Sequence, residues 1–96
     1  MKVARTLSDL GSVGPAMVRD FQLLGITRVE QLVGRDPEQL YHKLCGITGS
    51  KQDICVLDVF RCAVAQAENP ELSAEKRQWF YWSRVRKGQI KPRRRG

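Results

Sequence analysis

Leu10-Gly11-Ser12-Val13-Gly14-Pro15, followed by Val18, Phe21 and Leu24-Gly25-Ile26, is the stretch from which the fold is read. Pro15 suits the first position of a helix, where its missing N–H belongs to a set that has no partner inside the helix anyway. Val18, Phe21 and Leu24 recur at i, i+3, i+6 and give that helix one apolar face. Gly25 then predicts a left-handed residue just beyond its end. Upstream, Leu7 and Leu10 predict a short helix that Gly11 to Gly14 stops. Two helices joined by a glycine-bearing turn, with Val13 buried to pin it, make a helical hairpin.

Moving outward, the punctuation stays helical. Thr27 and Glu30 form a T-x-x-E capping box for a third helix carrying Val29 and Leu32, which Gly34 ends. Asp36, Pro37 and Gln39 supply the cap, first-turn proline and N3 residue of a fourth helix with Leu40, Tyr41 and Leu44. After a loop from Gly46 to Gly49, Ser50 is the expected cap of the longest helix. There Ile54, Val56, Leu57, Val59, Phe60, Ala63, Val64 and Ala67 leave apolar residues on nearly every side. Such a helix is central. Asn69-Pro70 ends it, and Ser73 is expected to cap a last helix through Trp79, Phe80 and Trp82. Alternation of the strand type never persists. The expected class is all-α, with five to six short helices.

Charge divides the chain in two. From Arg84 to Gly96 the sequence RVRKGQIKPRRRG carries seven cations and no acid, so the formal charge of +7 belongs to that run alone. The reading is a helical domain over residues 1–83 and a disordered basic tail over 84–96. A cation block of this kind repels itself and is drawn to polyanions. No apolar run approaches the roughly 20 residues that span a bilayer, and the N-terminus lacks the continuous apolar stretch of a secretory signal. Three cysteines at irregular spacing read as free thiols in a reducing compartment, with the cytoplasm as the default.

The hairpin, its continuation Ile26-Thr27-Arg28-Val29-Glu30-Gln31-Leu32, and three later blocks carry a resemblance. Those blocks are residues 34–41, 55–64 and Trp79-Phe80-Tyr81-Trp82. Together, over about residues 6–83, the chain resembles the small bacterial "pathogenicity locus" family of helix-hairpin-helix proteins. The resemblance implies sequential helical hairpins around a central helix, in a small protein expected to bind DNA. In such hairpins the turn approaches a phosphate, which the N–H groups and dipole of the following helix attract. The positions that correspond are Ser12, Val13, Gly14, Ala16 and, one turn on, Arg19. Ser12 stands where such hairpins usually have a first glycine, and the cation often found after the second glycine is missing. Two readings therefore stand for the hairpin: a phosphate contact, or a tight connector.

Other chemistry finds little support. His42 and Cys45 are one turn apart, and Cys55 and Cys62 follow on another helix. Seven residues of helix place Cys55 and Cys62 about 10 Å apart along the axis, too far to share a zinc ion. No phosphate-binding glycine loop, dinucleotide fingerprint or metalloprotease motif occurs. The Trp79–Trp82 cluster beside the cations admits base stacking, a membrane interface or docking of the last helix; docking is favoured, through Trp79 and Trp82.

The expected function is non-catalytic, sequence-independent nucleic-acid binding, DNA rather than RNA, in DNA repair, recombination or processing. No cofactor, metal or membrane partner is expected. The contacts assigned are Ser12, Val13, Gly14, Ala16 and Arg19 in the hairpin, and Arg84, Arg86, Lys87, Lys91, Arg93, Arg94 and Arg95 in the tail. The alternative is a protein-interaction adaptor whose hairpin has lost its DNA contacts.

Overall fold

Helices begin where the chain supplies a cap or a first-turn proline. In the computed structural model, which describes residues 5–89, they run Pro15–Leu23 (α1), Pro37–Thr48 (α2), Ile54–Glu68 (α3) and Trp79–Arg86 (α4). Three 3-10 turns, Leu7–Asp9, Val29–Leu32 and Glu75–Arg77, make up the rest of the regular structure. There is no strand among the described residues, and the chain is all-helical. Among the described residues the expected five to six helices resolve into four. The other segments are only three or four residues long, too short to repay helix nucleation, so they close as 3-10 turns.

Caps decide several boundaries. Pro15 opens α1 and Gly25 follows it at φ +79°, both as expected. Asp36 caps α2, its carboxylate accepting from the Glu38 N–H at 3.0 Å. The box expected from Thr27 and Glu30 is instead closed by Gln31. Its side-chain oxygen accepts from the N–H groups of Thr27 (2.8 Å) and Arg28 (2.9 Å), one residue out of the expected register. Gly46 does not begin a loop, because α2 runs through it to Thr48. The stop is Gly49, left-handed at φ +71°, while the Thr48 hydroxyl donates back to the Leu44 carbonyl at 3.0 Å. Ser50 is not the cap of α3; Asp53 is, accepting from the Cys55 N–H at 2.9 Å. A carboxylate there also meets the positive end of the helix dipole. Ser73 contributes only its carbonyl, which closes a turn with the Lys76 N–H before the 3-10 segment.

The core is organised around α3, which packs against α2, α4 and the turns at 29–32 and 75–77. Leu57, Phe60, Cys62, Ala63, Val64 and Ala67 are buried along it, which accounts for its apolar residues on several sides. Phe60 meets Phe21 of α1 with ring centroids 5.2 Å apart, and Leu32, Leu40 and Leu44 complete the interior.

α4 docks differently from expectation. Tyr81 and Ser83 are its buried residues, and the half-buried Trp82 donates its indole N–H to the Lys76 carbonyl at 2.8 Å. Phe80 is 43% exposed and Trp79 37% exposed, so of the two tryptophans expected to dock the helix Trp82 is the more deeply placed. The boundary expected between residues 83 and 84 falls inside α4, which continues to Arg86 with Gly88 left-handed behind it. The physical reason is an ion pair at the far end of the helix, described below.

Candidate nucleic-acid interface

The turn between the first 3-10 segment and α1 is held by residues far away in sequence. Val13 is buried and pins the turn, as expected. The buried Gln66 of α3 reads Gly11 in both directions: its side-chain oxygen accepts from the Gly11 N–H at 2.8 Å, and its amide donates to the Gly11 carbonyl at 3.0 Å. On the other side lies the backbone of Arg77. A Cβ on Gly11 would stand 2.3 Å from the Arg77 carbonyl oxygen, so only glycine fits this approach. Ser12 is left-handed at φ +68°, the sole non-glycine residue with positive φ among those described. Glycine takes that conformation without strain.

The Ser12 hydroxyl, assigned from the sequence to a phosphate, has a protein partner instead. It accepts from the Trp79 N–H at 2.9 Å and caps the first turn of α4. What the hairpin still presents to solvent is the start of α1. Gly14 and Ala16 are exposed and Met17 is half-buried, and no carbonyl or side chain among the described residues accepts from their N–H groups. Arg19 is exposed one turn in, next to Asp20, whose carboxyl burial raises above its ordinary range while Arg19 partly opposes the shift.

The basic run separates into members with different surroundings. Arg84 and Lys87 are exposed, and Arg84 lies over the Phe80 ring at 5.6 Å from its centroid. Arg86 turns inward. Its guanidinium pairs side-on with Asp58 of α3, Nε to Oδ1 at 3.0 Å and a terminal nitrogen to Oδ2 at 3.0 Å, and also reaches Ser83 Oγ at 3.4 Å. Asp58 is wholly buried, whereas the Arg86 side chain is 24% exposed. The bonds to Asp58 raise the Arg86 pKa further, and burial only partly opposes them. Arg86 is therefore a structural cation and leaves the set available to a polyanion. Lys91, Arg93, Arg94 and Arg95 lie outside the described residues, as does most of the segment expected to be disordered.

The sequence contained a signal for this pair. Asp58 stands alone in the apolar run ICVLDVF, and an acid buried in a central helix requires a cation. The exposure of Phe80 had a signal too: Arg84 and Lys87, four and seven residues on, put it on a charged face of the helix.

The cysteines and the histidine do not converge. No group of three His, Cys, Asp or Glu side chains gathers among the described residues. Cys62 is buried beside the hairpin, donating to the Lys76 carbonyl at 3.6 Å, and burial pushes its thiol pKa up to about 11. That shift favours the thiol over the reactive thiolate. Among the described residues no helix is long and apolar enough to cross a membrane.

Comparison with known proteins gives two matches. The model of the family described as "Pathogenicity locus" matches residues 1–88. The chain is also 37% identical over 81 residues to the "Mitomycin resistance protein McrB" of Streptomyces lavendulae, an alignment covering 84% of this chain and 73% of that protein. No solved structure matches the chain.

Proposed function

The chain belongs to the pathogenicity locus family, and on that premise we propose that it is a non-catalytic nucleic-acid-binding protein of the cytoplasm. It is built on the helix-hairpin-helix plan, and it binds DNA in preference to RNA, without reading sequence. Its place is DNA repair, recombination or processing. The observation that carries this reading is the segregation of charge: all seven cations in excess lie in residues 84–96. With Arg86 committed to Asp58, six remain: Arg84, Lys87, Lys91, Arg93, Arg94 and Arg95. The uncommitted N–H groups of Gly14, Ala16 and Met17 add a backbone contact that orients the phosphate chain.

The test is binding at two salt concentrations. If about four to six cations meet duplex phosphates, the log–log salt slope is roughly −4 to −5. Removing residues 90–96 takes away four cations, so it should remove most of the affinity and flatten the slope by roughly four. Unchanged affinity in the shortened chain would refute the assignment. A cut at Arg84 is unsuitable, because it also removes Arg86 and strands Asp58. The resistance named in the Streptomyces relative is carried over only as part of this proposal, and survival on mitomycin with and without the gene reads it.

A second reading has its own observation. Gly11 and Ser12, the polar centre of the hairpin, are occupied by Gln66 and Trp79. That suits a structural joint in a protein-interaction adaptor. Arg19→Ala and Ala16→Lys, both at exposed positions of α1, separate the two readings. Residual DNA binding that weakens with the first and strengthens with the second supports a phosphate contact; no response to either supports the connector.

A further inference from the structure

We propose that the outward face of α4 is a stacking platform for unpaired bases, which makes single-stranded DNA the preferred form of the polyanion. The inference rests on the nucleic-acid reading above and adds the class of ligand. Phe80 is exposed, and the partly exposed Trp79 beside it is in edge contact, with ring centroids 6.3 Å apart at 76°. Arg84 lies over Phe80, and Lys87 follows it three residues later. Phe80, Arg84 and Lys87 are spaced i, i+4, i+7 and share one face of the helix. The segment Trp79 to Gln89 has no acid.

Rigidity is built in from behind. Ser12 holds the N-terminal end of the helix through the Trp79 N–H, and Asp58 holds the C-terminal end through Arg86. Tyr81 and Trp82 are committed inward, with rings 5.2 Å apart. The exposed parts of the Phe80 and Trp79 rings are therefore presented on a fixed support, beside the exposed cations Arg84 and Lys87. Base–aromatic stacking tolerates any sequence, because every base has a π face. A duplex keeps those faces inside its stack, so it can offer this surface only its phosphates. A lipid surface fits less well: α4 has eight residues, its Tyr81 side is buried, and two rings are a small apolar area to insert.

The experiment uses the full chain and three probes of equal length: oligo(dT), an abasic strand with the same phosphates, and a blunt duplex. The expected result is that oligo(dT) binds roughly tenfold or more tightly than the abasic strand, a difference that only the bases supply. Trp79 fluorescence should be quenched by oligo(dT), and the quench should vanish in Trp79→Phe, which leaves Trp82 as reporter. The Phe80→Ala variant should weaken that preference for bases while keeping helicity and its affinity for the duplex. Equal binding of oligo(dT) and the abasic strand overturns the platform, and this arm needs no substitution. Binding to anionic phosphatidylglycerol vesicles with a blue-shifted Trp79, and no base-dependent quench, overturns it in favour of lipid. If no probe binds, the nucleic-acid reading itself fails. If all bind but the bases make no difference, only the platform does.

Discussion

The two sides of α4 differ in what they touch and in how much of that is local. The inner side carries Tyr81, Ser83 and Arg86 into a preformed environment of α3 residues, with Asp58 as the terminal anchor. The outer side carries Phe80, Arg84 and Lys87 to solvent, where Arg84 lies over the Phe80 ring and the partly exposed Trp79 meets that ring in edge contact. Arg84 and Arg86 are two residues apart, chemically identical and opposite in role. One cation is a fold element and the other a surface charge, and charge counting along the chain treats them alike. The difference shows that a basic run is not one object. Its first members can belong to the core, and the surface available to a partner starts only after they are subtracted.

The strongest way to break this comparison is Arg86→Ala. It leaves the buried Asp58 carboxylate without its partner, and losing one member of a buried pair generally costs about 3–5 kcal/mol. With the Arg86 side chain 24% exposed, the low end applies, about 3 kcal/mol. In a domain of this size that lowers the melting temperature by more than roughly 10 °C. An Asp58→Leu/Arg86→Met double variant should recover much of the loss, since it removes both charges together. If Arg86→Ala melts within a degree or two of the parent, the inner side is not anchored as described.

Gly11→Ala tests the support at the other end of α4. The added methyl meets the Arg77 backbone oxygen, which cannot rotate away as a side chain tip would. Overpacking of this kind costs about 1–3 kcal/mol. Displacing Arg77 also disturbs the start of α4, so chemical-shift changes should reach Trp79. A Gly14→Ala control, at a position where a Cβ meets nothing within 4 Å, should be far milder. Equal losses at the two glycines would sink the close approach.

Local chemistry was legible in the sequence, and distant chemistry mostly was not. Pro15, Asp36-Pro37 and Gly25 announced their boundaries because cap and turn preferences act over one helical turn. The centrality of α3 followed from apolar residues on several of its sides. By contrast, Ser12 and Trp79 are separated by 67 residues, Gln66 and Gly11 by 55, and Asp58 and Arg86 by 28. Local propensity names no partner for any of them, and the lone Asp58 in its apolar run signals only that some cation is needed. These pairs settled whether the hairpin hydroxyl faces solvent, where the ordered helix ends and which aromatics point out. The misplaced caps at Thr27 and Ser50 were smaller errors, each with a better acceptor, Gln31 or Asp53, a few residues away.

A smaller effect is expected at Ser12, where two contributions oppose each other. Ser12→Ala removes the acceptor for the Trp79 N–H and keeps the left-handed backbone, a loss of about 1 kcal/mol on the scale of helix caps. Ser12→Gly loses the same acceptor but relieves the φ of +68°. The glycine variant should therefore unfold at a higher urea concentration than the alanine variant. The reverse order would mean that the strain at residue 12, or its link to α4, is misassigned.

The smallest effect on stability belongs to Arg84→Ala, and it is the direct partner of the first test. Arg84 has no acid partner among the described residues, only the Phe80 ring. An exposed cation–π contact contributes about 0.5 kcal/mol, and surface substitutions generally stay within about that range. Urea unfolding should thus barely move, in contrast to Arg86→Ala. Binding should move instead. On the proposed function, loss of this cation should weaken association with duplex DNA and reduce the salt slope by about one. Arg84→Lys keeps the charge but not the flat guanidinium over Phe80, so it should restore the salt slope while leaving any base-dependent quench of Trp79 diminished. A stability loss at Arg84 comparable to that at Arg86 would show that both cations are structural. The surface left for a partner would then begin at Lys87.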